Sequence, residues 1–252
     1  VTDQGGGSHN WTVASGTLTK SEDNPSNVFA TWNALDNYYD NGTFSNGNTT
    51  YQTNNSNYGR NNSTLGMTSG KFYWEVKPSA VAASSADFHP LIGITSNQIT
   101  HHQDFVGKFA TDYSYGMSTT NPYKWNNNTQ TSWGTAYAVG DIVGVALDLD
   151  NNKIYFSKNG TFQESGDPTS GSTGTGAAYT ITAAASTPLG AYFPSVSNYD
   201  GTGNVTFQTN FGNGYFGTTA VSSAGTNASN NGIFEYDVPA GYTALSTKGL
   251  NE

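Results

Sequence analysis

Cysteine is absent from the 252-residue chain, so disulfides and thiolate metal sites are excluded. Charge is scarce: Asp, Glu, Lys and Arg make up 11% of residues, against roughly 25% in ordinary soluble domains. Basic residues are scarcer still, with 9 Lys and Arg against 18 Asp and Glu, a net charge of −9 and no cationic cluster. Nucleic-acid affinity comes largely from phosphate neutralisation, so nucleic acid is excluded as a partner. An anionic membrane surface is disfavoured for the same reason. No apolar run approaches the roughly 20 residues that span a bilayer, so no membrane insertion is expected. Nor does any ten-residue stretch keep a 3.6-residue hydrophobic period, and no fixed-period repeat occurs. The opening VTDQGGGSHN has neither an initiator Met nor a signal-peptide pattern, and a fragment or processed product is expected.

Asn, Ser, Thr and Gly supply the surface instead, and aromatic residues reach 13%, enough for a core. The clearest local pattern lies at 141–162, DIVGVALDLDNNKIYFSKNGTF. Val143, Val145, Leu147 and Leu149 alternate, Asp150-Asn151-Asn152 breaks the run, and Ile154 and Phe156 resume it. Two period-two runs around an Asn/Asp turn predict a β-hairpin. Upstream, KFYWEVK at 71–77 alternates Phe72, Trp74 and Val76 on one face with Tyr73 and Glu75 on the other, and Glu75 is expected to point outward or onto a second face. PLIGIT at 90–95 predicts a buried strand in which Gly93 admits another backbone. YSYGM (113–117) and PYKW (122–125) predict two strands around a turn, and AYFPSV (191–196) with VTFQTNF (205–211) a further strand pair. A short strand is expected at 28–35, short strands within 36–62, a weak one at 11–18, and mixed extended structure at 234–245. Many short strands between turn-rich loops predict an all-β fold, a two-sheet antiparallel β-sandwich. Residues 1–27 form a linker and lead-in, and 28–250 one sandwich with its core at 70–212.

The ordered strands resemble the SPRY domain, a concanavalin-like β-sandwich. GKFYWEVK (70–77), SYGMSTTNPYKWNN (114–127), GDIVGVALDLDNNKIYFSKNG (140–160), YFPSVS (192–197) and VTFQTNFG (205–212) are similar, in order, to that family's strand motifs. The flanks GSHNWTV (7–13), NVFATWNALD (27–36) and VPAGYTALSTKGL (238–250) resemble those around SPRY-like modules in tailed-phage structural proteins. The resemblance implies a virion protein: a fibre, an appendage or a capsid-decorating element whose loops contact a host-surface glycan or other virion proteins. It implies a homo-oligomer, with a trimer suiting a fibre. Two other settings stay open: a purely structural cement protein without a host ligand, and a cellular SPRY adaptor that binds peptides. The small-residue loops at 166–175 and 218–231 are long for the family, so its loop surface does not carry over.

Chemistry-bearing residues are few. Asp148, Asp150, Asn151 and Asn152 lack the Gly at position six and the acidic residue at position twelve of a calcium loop, and so read as a turn. His101, His102 and Asp104 have no third histidine beside them and read as a polar loop, with ligand contact by the two histidines open. A glycosidase needs two converging carboxylates, whereas Asp87, Asp104, Asp112 and Glu164 are scattered through loops. No G-x-S-x-G elbow occurs. No enzyme activity, metal or cofactor is expected. The ten Asn-x-Ser/Thr sequons follow from composition. Aromatic rings near Asn-rich loops suit stacking on a sugar with amides to bond its hydroxyls, which selects Tyr38, Tyr39, Tyr123 and Asn126 beside His101 and His102 as candidate ligand contacts. Trp125, at the K-W position, is expected in the core.

Overall fold

The computed structural model describes residues 23–37, 41–54, 58–81, 89–101, 103–118, 121–199 and 203–251. Of the expected lead-in at 1–27, residues 1–22, with the weak strand at 11–18, lie outside them, as do Tyr38, Tyr39 and His102. In chain order the strands are Thr43–Ser45 (β1), Thr50–Gln52 (β2), Arg60–Asn62 (β3), Lys71–Val81 (β4), Pro90–Thr95 (β5), Asp112–Ser118 (β6), Asn121–Asn126 (β7), Thr129–Ser132 (β8) and Val143–Asp148 (β9). Lys153–Lys158 (β10), Thr161–Phe162 (β11), Tyr179–Thr180 (β12), Phe193–Asn198 (β13), Val205–Asn210 (β14), Tyr215–Phe216 (β15), Thr219–Ala220 (β16) and Thr243–Ala244 (β17) follow.

A nine-stranded sheet runs β1-β2-β14-β4-β9-β10-β11, with β12 also on β10 and β17 also on β4. A six-stranded sheet runs β3-β13-β5-β6-β7-β8. The two sheets make the sandwich that the alternation predicts. Strand pairing within each is antiparallel except at β17, which lies parallel to Phe72 and Tyr73 of β4, in line with β14 where that strand's ladder ends opposite Glu75. The hairpin forms as predicted, Asp148 facing Lys153 and Val143 facing Lys158. Its turn closes through Asp148, which accepts Asn151 N–H at 2.9 Å and pairs with Lys71 at 2.9 Å. Asn152 takes φ 56°, the left-handed region that Asn tolerates.

Two expectations fail. Residues 28–35 form only isolated bridges, Phe29 to Ser246 and Trp32 to Ser63, because their backbone groups pair at intervals with different elements. β13 and β14 are not partners: β13 lies between β3 and β5, and β14 between β2 and β4, so the intervening segment crosses from one sheet to the other. The bridge at Phe29 belongs to a clasp between the two ends of the described chain. Val28 accepts from Thr247 N at 2.9 Å and Ala30 N donates to Leu245 at 3.0 Å, while Asn27 Nδ2 donates to Asn231 at 2.8 Å.

Period two sends Phe72, Trp74, Val76, Val143, Val145, Leu147, Ile154 and Phe156 to the face that meets Ile92, Ile94, Tyr113, Tyr115 and Val196 of the other sheet; all are buried in one cluster. The opposite faces are buried as well. Over the nine-stranded sheet passes a strap at 233–237, with Phe234 edge-on to Tyr73 at 5.1 Å and Tyr236 over Gly160. Over the six-stranded sheet passes a strap at 96–111, which settles on small residues: Val106 N donates to Ser197 Oγ at 3.1 Å and Ser114 Oγ to Val106 O at 2.7 Å. Gly93 lies in the same row, where an added Cβ would stand 1.9 Å from Tyr113 O. Gly93→Ala is therefore expected to cost at least the upper end of the about 1–3 kcal/mol typical of overpacking. Its denaturant midpoint, against that of wild type, checks this; an unchanged midpoint would show that β5 and β6 can separate without penalty.

Candidate binding surface

Arg60, on the edge strand β3, organises the six-stranded face. Its side chain and that of Asp112 are wholly buried and pair at 3.2 Å. The guanidinium also donates to Asn62 Oδ1, Phe105 O and Asn97 O, each at 3.4 Å, and to Thr95 Oγ1. Asp112 accepts in turn from Thr95 Oγ1 at 2.6 Å, Asn97 Nδ2 at 2.9 Å and Phe109 N at 3.3 Å. One buried ion pair thus pins the strap at 97, 105 and 109. Buried charges persist only when paired and fully hydrogen-bonded, and this pair meets that condition.

The pinned strap carries Phe105 into an aromatic platform. Phe105 lies edge-on to Trp125 at 5.0 Å and to Tyr199 at 4.7 Å. Tyr199 also lies 4.8 Å from Trp125 and 5.2 Å from Tyr58. Leu91, Val106 and Tyr123 complete this second cluster, distinct from the main core. Phe105 and Trp125 are buried, at 4% and 6% exposure, while Tyr58 and Tyr199 are half-buried and open to solvent. Each such ring pair adds about 0.5–1.5 kcal/mol beyond area burial, so the two open rings are held rigidly by the two closed ones.

Carboxylates are committed elsewhere. Glu75, expected to point outward or onto a second face, takes the second face and is fully buried beneath the strap at 233–237. It accepts from Tyr73 OH at 3.2 Å, Asn210 Nδ2 at 3.2 Å, Glu235 N at 2.9 Å and Tyr236 N at 2.9 Å. Burial pushes its carboxyl up to about 7, against the pull of these donors. Sealed from solvent, Glu75 cannot meet a substrate. Asp104 caps a turn, accepting from Thr100 N at 2.7 Å and His101 N at 3.1 Å and pairing with Lys108 at 2.8 Å. Burial raises it, but Lys108 and the Thr100 donors outweigh that and hold it below the usual carboxylate range. Among the described residues no three His, Asp or Glu gather as a metal site.

The SPRY domain family model matches residues 71–214, more than half of the chain. The chain belongs to the SPRY family. The SPRY domain of human HERC1 is 15% identical, with a TM-score of 0.48, covering 67% of this chain and 91% of that one. The stonustoxin structure is 17% identical, with a TM-score of 0.49, covering 72% of this chain and 27% of that one. The comparison with curated proteins returns no match.

Of the residues selected from sequence in this SPRY domain, Tyr123, Asn126 and His101 are among those described and bond to different partners, while Tyr38, Tyr39 and His102 lie outside the described residues. Tyr123 is 2% exposed and donates to Met117 O at 2.7 Å, so it supports the platform from below and cannot stack on a ligand. Asn126 Nδ2 donates to Ala110 O at 3.0 Å and Asp112 O at 2.8 Å, which clips the end of the strap to β7. His101 is exposed on the strap, its Nδ1 2.9 Å from Thr100 Oγ1. Trp125 is buried, as expected. Tyr58, Phe105, Tyr199 and Arg60 were not selected. They come from three distant stretches, 58–60, 105 and 199, which the pairing of β13 with β3 and β5 and the strap held by Arg60 bring together.

Proposed function

We propose that this SPRY domain is a non-catalytic recognition module of a tailed-phage virion, in a fibre, an appendage or a capsid decoration, that binds a host-surface or virion protein through Tyr58 and Tyr199. The observation that carries the binding reading is the separate platform in which two half-open rings rest on two buried ones. Preorganised aromatic anchors of this kind dominate protein interfaces, and SPRY domains are in general interaction modules. The carboxylates of Glu75, Asp104 and Asp112 serve structure, which favours binding over hydrolysis. The virion setting, with its homo-oligomeric and preferably trimeric assembly, is favoured by the flanks at 7–13, 27–36 and 238–250.

The test is a pull-down and a surface-binding titration of the domain with host cells and with disassembled virions. Tyr58→Ser with Tyr199→Ser is expected to weaken binding at least tenfold while the domain, though less stable by the lost ring contacts, still unfolds in one cooperative transition well above the assay temperature. Equal binding by the double variant would remove the platform from the account. Attachment to a glycan array alone would change the partner class.

A further inference from the structure

At the other end of β5 lies a groove of ≈ 410 Å³ that shares none of its lining with the platform. Asn97, Gln98 and Ile99 at the start of the 96–111 strap form one wall, Leu189 and Phe193 another, and the turn at 33–36 a third. That turn is built to present its tip. Leu35 N donates to Asn33 Oδ1 at 3.0 Å and Asp36 N to Asn33 O at 3.1 Å, while Asn61 Nδ2 holds the carbonyls of Asn33 at 2.9 Å and Asp36 at 3.1 Å. The residue on show is a leucine, 95% exposed, facing a groove whose other rim carries Leu189 at 40%. Leu35 and Leu189 give the groove two exposed aliphatic edges, on which an apolar segment would gain buried area.

The polar lining is short of cations. Asp36 is half-buried and its carboxylate accepts from Asn62 Nδ2 at 3.2 Å, with no ion pair among the described residues. Burial raises its carboxyl above the ordinary value, with Arg60 and Asn62 pulling the other way. Arg60 lies behind it but is matched by Asp112. Asn97 commits its amide N–H groups to Thr111 at 2.8 Å and Asp112 at 2.9 Å, which turns its oxygen, an acceptor, to other use. The groove therefore offers one half-buried carboxylate, Asp36, among uncharged polar side chains that include Asn97, beside the apolar Leu35, Ile99, Leu189 and Phe193.

We propose that this groove receives an arginine side chain from an extended, partly apolar segment of a partner protein. The planar guanidinium has N–H groups enough for the Asp36 carboxylate and the Asn97 oxygen together, and its methylene stem would lie along Leu35 and Ile99. Apolar neighbours of that arginine would cover Leu35 and Leu189. Charge favours this occupant, since the chain carries −9 overall. A sugar would want an open ring face, and the one ring in the lining, Phe193, is half-buried with Gly66 packed against its tip. A divalent cation would want more carboxylates than one.

The probe is the peptide acetyl-Ala-Leu-Arg-Leu-Ala-amide, with citrulline replacing arginine in the control. NMR titration of the full chain follows the side-chain amides of Asn33 and Asn97 and the methyls of Leu35 and Leu189. The arginine peptide is expected to shift these signals and to bind at least tenfold more tightly than the citrulline peptide. Asp36→Asn is expected to erase that preference, and Leu35→Ser, at a fully exposed site that leaves the fold intact, to weaken both peptides. Equal affinity for the two peptides, an Asp36→Asn variant that keeps the preference, or shifts that appear at Tyr58 and Tyr199 instead would each overturn the proposal.

Discussion

Glu75→Ala is expected to lower the stability of the domain by about 3–5 kcal/mol, since each donor left buried without a partner costs about 1–3 kcal/mol. The carboxylate is the shared acceptor of Tyr73, Asn210, Glu235 N and Tyr236 N, and alanine would leave all four donors buried and unpaired. For a chain of this size the loss corresponds to a fall of about 6–20 °C in melting temperature. Hydrogen exchange adds a local signature: amides at 234–237 should lose protection before those of β9. The same carboxyl makes the domain sensitive to pH. Its folded value, about 7, lies above the ordinary value of 4.5, so the native state holds the proton more tightly than the unfolded chain. The added proton has an acceptor in the Tyr73 hydroxyl, which converges with Ser157 Oγ over Gly144. Stability from this group is full below about 4.5 and is lost as pH rises through 7, about 2–3 kcal/mol between pH 5 and pH 8. Melting temperatures across that interval should slope downward in wild type and lie flat in Glu75→Gln. Parallel profiles would assign the slope to other groups.

Arg60→Met is expected to cost a further about 3–5 kcal/mol by stranding Asp112 in the interior. The double variant Arg60→Met, Asp112→Asn should be less damaged than the single one, because no net charge then remains buried. Chemical denaturation of the four proteins in this cycle measures the coupling directly. Because Arg60 also holds the carbonyls of Asn97 and Phe105, the single variant should loosen the strap and disorder the ring of Phe105. Partner binding at Tyr58 and Tyr199 would then fall even though neither tyrosine is altered. A single variant as stable as wild type would mean that the pair is structurally idle.

The strands most visible in the sequence are those whose hydrophobic period is local. Val143 to Leu149 and Phe72 to Val76 alternate within a few residues, and their hairpin and sheet contacts follow directly. Non-local pairing is invisible to such patterns. Whether 193–198 and 205–210 pair with each other or enter different sheets depends on β3, β5, β2 and β4, and the alternation of either segment fits both outcomes. Glu75 misleads for a related reason. Its strand signals a face opposite Trp74, but not that Phe234 and Tyr236, about 160 positions away, will cover it. Arg60 sits in the tripeptide RNN, which carries no period at all. The aromatic platform is equally hidden. Rings beside Asn-rich turns point to Tyr123, whereas the half-open rings, Tyr58 and Tyr199, owe their place to a strap that has no regular structure of its own.

The clasp between residues 28–30 and 245–247 has a mechanical consequence. Entry and exit points that touch let the whole sandwich be spliced into a surface loop of a larger protein without stretching that loop. They also decide where tension acts. A pull on the two ends would load Val28–Thr247 and Ala30–Leu245 first, one bond after the other, and leave the platform and both straps unstrained until the clasp had opened. The geometry of the platform would therefore outlast the first slack in the clasp.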